Sequence, residues 1–295
     1  MKTFITLFII GSSILLSQHV DTGLPFLKTG TDARSSAMGE AYTAMTGDHS
    51  TYGYNPASIR LSDRRQLLLS HRQGFSDVAT DYLGTTLPGE TVTVGISAMT
   101  TSVSNIEIRQ RPGDSEGSFD ARNAALSAGV AFTPISDLAV GITGKLLYEK
   151  IYIDEASGYA FDAGMLYSIS NNFRAGISLL NVGTMSALRS EASPLPSTLR
   201  FGGAYGAAIS PEFAVLTGVD IVKTLNDDGT HFHVGAEVAY QSLLMVRAGY
   251  QTGYETKSFS TGIGILYGIV RFDYAFVPMS GSFSPNHTFS LVFHL

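Results

Sequence analysis

His287-Thr288-Phe289-Ser290-Leu291-Val292-Phe293-His294-Leu295 closes the chain, and its reading decides the fold. Strand side chains alternate between two faces with period two. Phe289, Leu291, Phe293 and Leu295 therefore share one face, and Thr288, Ser290, Val292 and His294 share the other. A uniformly bulky apolar face is an aggregation hazard on an open sheet edge. It is at home where the strand closes a barrel and that face meets lipid, because a bilayer leaves no water to satisfy backbone groups.

The same alternation recurs upstream. From Arg65 onward, period-two segments separated by turn residues predict strands near 65–73, 77–87, 90–102, 121–132, 138–150, 158–168, 173–182 and 197–208. Six more follow near 213–223, 231–241, 243–252, 258–267, 269–277 and 287–295. That makes about fourteen, an even number as single-chain bacterial barrels have. Every second connection is tight, for example Leu87 to Glu90, Ser168 to Asn172 and Tyr267-Gly268. The others, such as Val103 to Asp120, Ile151 to Ser157 and Asn181 to Pro196, read as longer, more polar outer loops. Short periplasmic turns and longer external loops are the signature of an outer-membrane barrel.

The faces sort by charge. Val270, Phe272, Tyr274 and Phe276 oppose Arg271 and Asp273. Continued along the chain, the same parity points Lys145, Glu149, Asp162, Arg174, Arg200, Asp220, Glu237, Arg247, Arg271 and Asp273 into the lumen. A lipid-facing Arg or Lys at mid-membrane costs about 2–4 kcal/mol, so these residues belong inside. Inward glycines such as Gly141, Gly164, Gly176, Gly202 and Gly235 leave room for an inserted segment. Inward Leu68, Leu147, Leu166, Leu180, Leu216, Val222 and Leu266 either pack on that segment or line an apolar pocket. Tyr148, Tyr167, Phe173, Tyr205, Phe213, Tyr240 and Tyr267 form interfacial girdles.

The N-terminal part differs. Lys2, the apolar run Phe4 to Leu16 and small Ser17 read as a signal peptide over 1–17, cleaved on export. Residues 18–62 carry small residues and helical spacing and read as a plug, leaving 63–295 as the transmembrane barrel. Asp32 caps a short helix from Ala33 to Met38 that Gly39 ends. A second helical segment is expected from Glu40 to Met45, and Asn55-Pro56 marks a turn before Ala57 to Leu61. The expected fold is all-β: a transmembrane antiparallel barrel with a small helical or irregular N-terminal plug.

Composition narrows the chemistry. Charged residues make up 15% of the 295 residues, below the about 25% of soluble domains. The net charge of −6 gives no nucleic-acid surface. The absence of cysteine excludes disulfides, thiolate metal sites and thiol catalysis. No cofactor is called for. Ser70-His71 with Asp77 or Asp81 makes no hydrolase set, because adjacent strand residues point to opposite faces. His231 and His233 share a face with Glu237, but a bare pair of histidines reads as a lumenal polar network or a loop-end pair rather than a metal site. An enzyme is not expected.

Gly23-Leu24-Pro25-Phe26-Leu27, followed by Asp32-Ala33-Arg34-Ser35, Met38-Gly39 and Tyr54-Asn55-Pro56-Ala57, resembles the PorV/PorQ family of outer-membrane proteins. That family is related to the FadL-type long-chain fatty-acid transporters, which share the Asn-Pro-Ala element. The resemblance covers residues 23 to 62 in motif and the remainder in layout. It implies a Gram-negative outer-membrane protein with a lumenal plug, in which Asp32, Ala33, Arg34, Met38, Gly39, Asn55, Pro56 and Ala57 have a structural role. It also implies a binding or assembly role in protein export of the type IX kind. The expected partners are outer-membrane lipid together with exported proteins or secretion-system components. The alternative it carries is a FadL-like channel for fatty acids or other hydrophobic small molecules.

Overall fold

The structure, a computed structural model, describes residues 22–295 apart from 75, 76, 110, 112, 226, 228 and 282. The expected signal segment 1–17 lies outside the described residues. Along the chain the strands are β1 (Gln66–Gln73), β2 (Val78–Leu87), β3 (Val92–Ile108), β4 (Gly117–Ile135), β5 (Leu138–Ile151), β6 (Asp154–Ser168), β7 (Phe173–Met185) and the two-residue β8 (Ala187–Leu188) and β9 (Glu191–Ala192). Then come β10 (Thr198–Ala208), β11 (Phe213–Thr224), β12 (Thr230–Tyr240), β13 (Leu244–Gln251), β14 (Phe259–Tyr267), β15 (Val270–Val277) and β16 (Asn286–His294). All but β8 and β9 close into one antiparallel barrel of fourteen strands, each paired with its sequence neighbour in the wall. The quoted C-terminal strand is β16, and it closes the wall by pairing with β15 on one side and β1 on the other. No helix among the described residues is long and apolar enough to cross a membrane.

The alternation seen in the sequence is the alternation in space. In β16, Phe289 and Leu291 are exposed on the outside while Thr288, Ser290 and Val292 are buried. The seven expected girdle aromatics are all exposed. Three expected outer loops prove instead to be partly strand, the third being 181–196, which holds the end of β7 with β8 and β9. β3 continues to Ile108 and β4 begins at Gly117, pairing Ile106 with Phe119 beyond an irregularity at Asn105. β5 and β6 likewise run to Ile151 and from Asp154, so 151–157 holds only a tight turn. The physical reason is that above the lipid a strand no longer needs an apolar face. The hydrophobic signal stops there while the hydrogen-bond ladder continues. The rim is consequently uneven: β3 and β4 have 17 and 19 residues, whereas β1 and β15 have 8 each.

Residues 22–62 fill the lumen. They contain 3-10 turns at Pro25–Lys28, His49–Gly53 and Pro56–Leu61 and one short helix, α1 (Ala33–Ala37). Asp32 caps α1, accepting from the backbone N–H groups of Arg34 and Ser35 at 3.2 Å each. The second helix expected over Glu40 to Met45 is absent; the chain there makes only turns. Gly39 and Glu40 both adopt left-handed backbone angles, φ 60° and 56°, which stop the helix. The N–H groups of Tyr42 and Thr43 then donate to the Asp220 carboxylate instead of to helical carbonyls. Met38, Tyr42, Met45 and Tyr54 pack against Ala139, Leu166 and Ala204 of the wall. Leu24 and Phe26 pack against Leu147, Ala156 and Met185.

Candidate functional site

The contact between plug and wall is where the sequence invests its buried polar chemistry. It begins with glycine. A Cβ placed on Gly141, Gly176, Gly218 or Gly235 would come within 3.0 Å of plug backbone at Pro56, Thr43, Ala41 and Met38 respectively. Gly249 meets the backbone of Gly39 in the same way, and Gly164 meets the side chain of Asn55. This belt lets the plug main chain lie directly on the strands, close enough for side chains to bond across.

Six charges then form a closed ring. Arg34 of the plug donates to Glu237 on β12 through Nε and Nη2, at 2.8 and 2.7 Å, and to Asp48 of the plug at 2.6 Å. Glu237 accepts from Arg247 on β13, and Arg247 donates on to Asp273 at 2.7 Å. Asp273 accepts from Arg271 on the same strand, β15, at 2.7 Å, and Arg271 returns to Asp48 at 2.7 Å. Three positive and three negative groups alternate, all of them buried. Burial pushes the Asp48 carboxyl up, but the Arg34 and Arg271 guanidiniums overcome this and hold it well below the usual carboxylate range.

A second network sits beside it. Asp220 on β11 accepts from Tyr42 N, Thr43 N and Thr43 Oγ1 at 2.9, 3.0 and 2.6 Å, and pairs with Arg200 on β10 at 2.8 Å. Arg200 also donates to the Glu40 carbonyl at 2.6 Å. Lys145 pairs with Asp162 at 2.7 Å and donates to Asn181 Oδ1 at 2.7 Å, where the pairing of β6 with β7 is irregular. Glu149 and Arg174 stand apart: Glu149 Oε2 and Arg174 Nε are buried without a hydrogen-bond partner among the described atoms. His233 bonds Tyr254 Oη at 3.1 Å and His231 stacks on the same ring. Glu237 lies with the arginines instead.

Of the plug motif, Asp32 caps α1, Arg34 enters the ring, and Ala33, Met38 and Ala57 are buried apolar contacts. Gly39 makes the turn after α1. Asn55 caps the Pro56–Leu61 turn by accepting from Ala57 N, while its Nδ2 donates to Thr43 O at 2.8 Å and to Met165 O of β6 at 3.0 Å. Sequence reasoning missed Asp48, Thr43 and Glu40. They carry no periodic signal because the segment has no regular period, and only the Asp48-to-Ser50 pattern before a turn hinted at a cap. Asn55→Ala removes three hydrogen bonds and leaves Thr43 O and the Ala57 N–H without these partners, at about 1–3 kcal/mol for each unsatisfied group. Raised ion conductance in planar bilayers is the expected result.

Above the plug, toward the outer rim, lies a cavity of about 480 Å³ lined by Phe26, Val78, Val103, Val277 and Met279, with Arg72, Glu40 and Lys257 at its polar side. None of the seven inward aliphatic residues expected as pocket lining belongs to it. Leu147 and Leu166 pack on the plug, and Leu68 packs on Tyr82 and Val292.

This plugged fourteen-stranded wall fits a known family. The model for the type IX secretion system membrane protein PorP/SprF matches residues 48–293. The chain belongs to the PorP/SprF family. The expected resemblance was to PorV/PorQ; the family that matches is a related one of the same secretion system. The PorP/SprF match takes in Asp48, Asn55-Pro56-Ala57 and every barrel strand, and starts after α1. A search of curated proteins gave no match. Similar solved structures include the CymD monoaromatic hydrocarbon channel, 14% identical with a TM-score of 0.64 over 90% of this chain and 98% of that one. The Ralstonia pickettii toluene transporter TbuX is 13% identical, with a TM-score of 0.61 over 90% and 98% of the two chains. A Pseudomonas aeruginosa FadL homologue is 10% identical, with a TM-score of 0.55 over 89% and 97%. At these identities the likeness is one of fold. The protein is thus an outer-membrane β-barrel of a type IX secretion family, built on a FadL-like plan.

Proposed function

We propose that this PorP/SprF barrel serves protein export as a sealed binding or assembly component, in the manner implied by the PorV/PorQ resemblance, rather than as an open pore. The carrying observation is the closure of the lumen. The six-charge ring joins plug to β12, β13 and β15, and the Asp220 network joins it to β10 and β11. A conducting pore needs a water-filled path, and here the middle of the lumen is occupied by hydrogen-bonded protein. Export through a cleaved signal over 1–17 and the division into plug and barrel belong to the same proposal. Its test is affinity capture of the tagged protein from mild-detergent extracts of its own cells after cross-linking, read by mass spectrometry. Enrichment of secretion-system components or exported proteins is expected. Recovery of lipid alone overturns it.

A second reading, passage of hydrophobic small molecules, is supported by one specific observation. The 480 Å³ cavity is mostly apolar, and Asp162 and Thr143 line both a lumenal space and a groove on the outer wall where β6 and β7 pair irregularly. Against it, Asn181 N donates to Asp162 Oδ1 at 2.7 Å across that irregularity and closes it. Uptake of labelled fatty acid or aromatic hydrocarbon by cells carrying the protein, above cells lacking it, decides between the two.

A further inference from the structure

The lipid-facing wall carries one feature that a bilayer penalises. His71 on β1 and Asp81 on β2 are cross-strand partners, Nδ1 to Oδ1 at 2.7 Å, and their side chains are 51% and 61% exposed on the outside of the barrel. Leu67 lies four positions toward the inner end of β1, and β1 ends only two positions beyond His71, at Gln73. With about 3.3 Å per residue and a strand tilt of about 40°, the pair sits about 10 Å above Leu67 and about 5 Å below the outer end of β1, on the lipid-facing side of the wall. Ionisable groups at that depth are rare and demand hydrogen-bonding partners. The contact uses Nδ1 of His71 and Oδ1 of Asp81, and leaves Nε2 and Oδ2 for a partner outside the barrel. Acyl chains supply none.

The surroundings of the pair are lopsided. At the level of the pair, Tyr274 and Phe289 stand on the β15 and β16 side and Thr100 and Ala124 on the β3 and β4 side; one step lower, Phe272 and Leu291 stand opposite Ala98 and Leu126. Between bulky and small sides runs a groove of about 640 Å³, which includes His71 and Asp81 in its lining.

We propose that this wall is the two-fold interface of a homodimer in the membrane. A two-fold axis along the membrane normal, passing between His71 and Asp81, keeps both copies upright and brings His71 of each copy beside Asp81 of the other. Donor and acceptor are then matched twice over, as an isologous contact requires. The same rotation lays the aromatic β15–β16 side of each copy over the small-residue β3–β4 side of the other, so ridge meets groove. The charge pair fixes the axis, and the aromatic side chains supply the contact.

The chain has no cysteine, so one introduced thiol reports on one site. Leu83→Cys lies on the same face of β2, two residues from Asp81, whereas Val219→Cys lies outward on β11, on a far part of the wall. In membranes treated with a short bis-maleimide linker, Leu83→Cys is expected to yield at least tenfold more covalent dimer than Val219→Cys. Adding His71→Leu and Asp81→Leu together is expected to cut that yield at least fivefold while the barrel keeps its heat-modifiable mobility. Native mass spectrometry of the unsubstituted protein in lipid nanodiscs is expected to show two copies. Equal cross-linking at the two positions overturns the proposal, as does a yield indifferent to the double substitution. A nanodisc species of one copy carrying only lipid overturns it too.

Discussion

Arg34→Ala is expected to undock the plug from α1 onward. The substitution removes one of three cations from a closed ring and leaves Glu237 and Asp48 each short of a partner inside a water-poor lumen. Breaking a buried pair by deleting one member costs about 3–5 kcal/mol, because the surviving charge stays desolvated. Asp48 still has Arg271 and Glu237 still has Arg247, which places the cost toward the lower end of that range. In hydrogen exchange, amides over Ala33–Leu61 should then exchange about a hundredfold faster. Arg109→Ala is the matched control: its pair with Glu107 is on the exposed outer hairpin, where such pairs contribute about 0–1 kcal/mol. Plug protection unchanged in Arg34→Ala would mean that the Asp220 network and the apolar packing of Met38, Tyr42 and Tyr54 hold the segment without the ring. The ring need not add much net stability over an apolar equivalent, since desolvation offsets most of its Coulomb gain. Its effect is on register: bidentate Arg34 to Glu237 accepts one placement of α1 against β12.

How far the sequence disclosed this arrangement follows from the kind of signal each part emits. The wall was legible because lipid imposes period two. Phe289, Leu291 and Phe293 in β16, or Phe272 and Tyr274 in β15, announce both strand and face. The same rule put Glu237, Arg247, Arg271 and Asp273 in the lumen, yet parity says nothing about azimuth. Glu237 and Asp273 sit on strands that are not neighbours, and only the closed barrel and Arg247 between them bring them together. The upper parts of β3 and β4 read as loop because, once clear of lipid, polar residues occupy both faces. In the plug, Asp32 before Ala33 and Asn55 before Pro56 were readable as caps, since capping is local. Glu40 to Met45 read as helix because its composition favours one; the deciding partner, Asp220, is 177 residues or more away in sequence. Face parity separated Ser70 from His71, and the structure buries Ser70 while leaving His71 exposed beside Asp81. The same parity, carried one step further, sets them on the lipid side.

Gly141→Val carries the other large expected effect. A Cβ at Gly141 would lie within 2.6 Å of Pro56 C, Pro56 O and Ala57 N, which are backbone atoms of a capped turn. A flexible side chain yields to such an intrusion, whereas backbone fixed by Asn55 on one side and β5 on the other does not. Overpacking costs typically about 1–3 kcal/mol and more where nothing can move, so the turn is expected to leave the wall. The same strand supplies the control. Gly144 points outward, and its Cβ would meet only Phe161 Cε1 at 3.9 Å, ordinary contact. Gly144→Val should therefore fold as the parent does, with a β-branched residue that suits a strand. Gly141→Val should give a folded barrel with plug amides over Pro56–Leu61 exposed to exchange, or a barrel that fails to fold. Either result separates the two glycines. If both variants behave as the parent, the plug tolerates displacement from β5 and the glycine belt is not what sets its depth. If both fail equally, valine at any glycine in β5 is intolerable and the close approach of Pro56 is irrelevant. Only a difference between positions three residues apart on one strand shows that the wall is thinned on its inner face to let the plug main chain in.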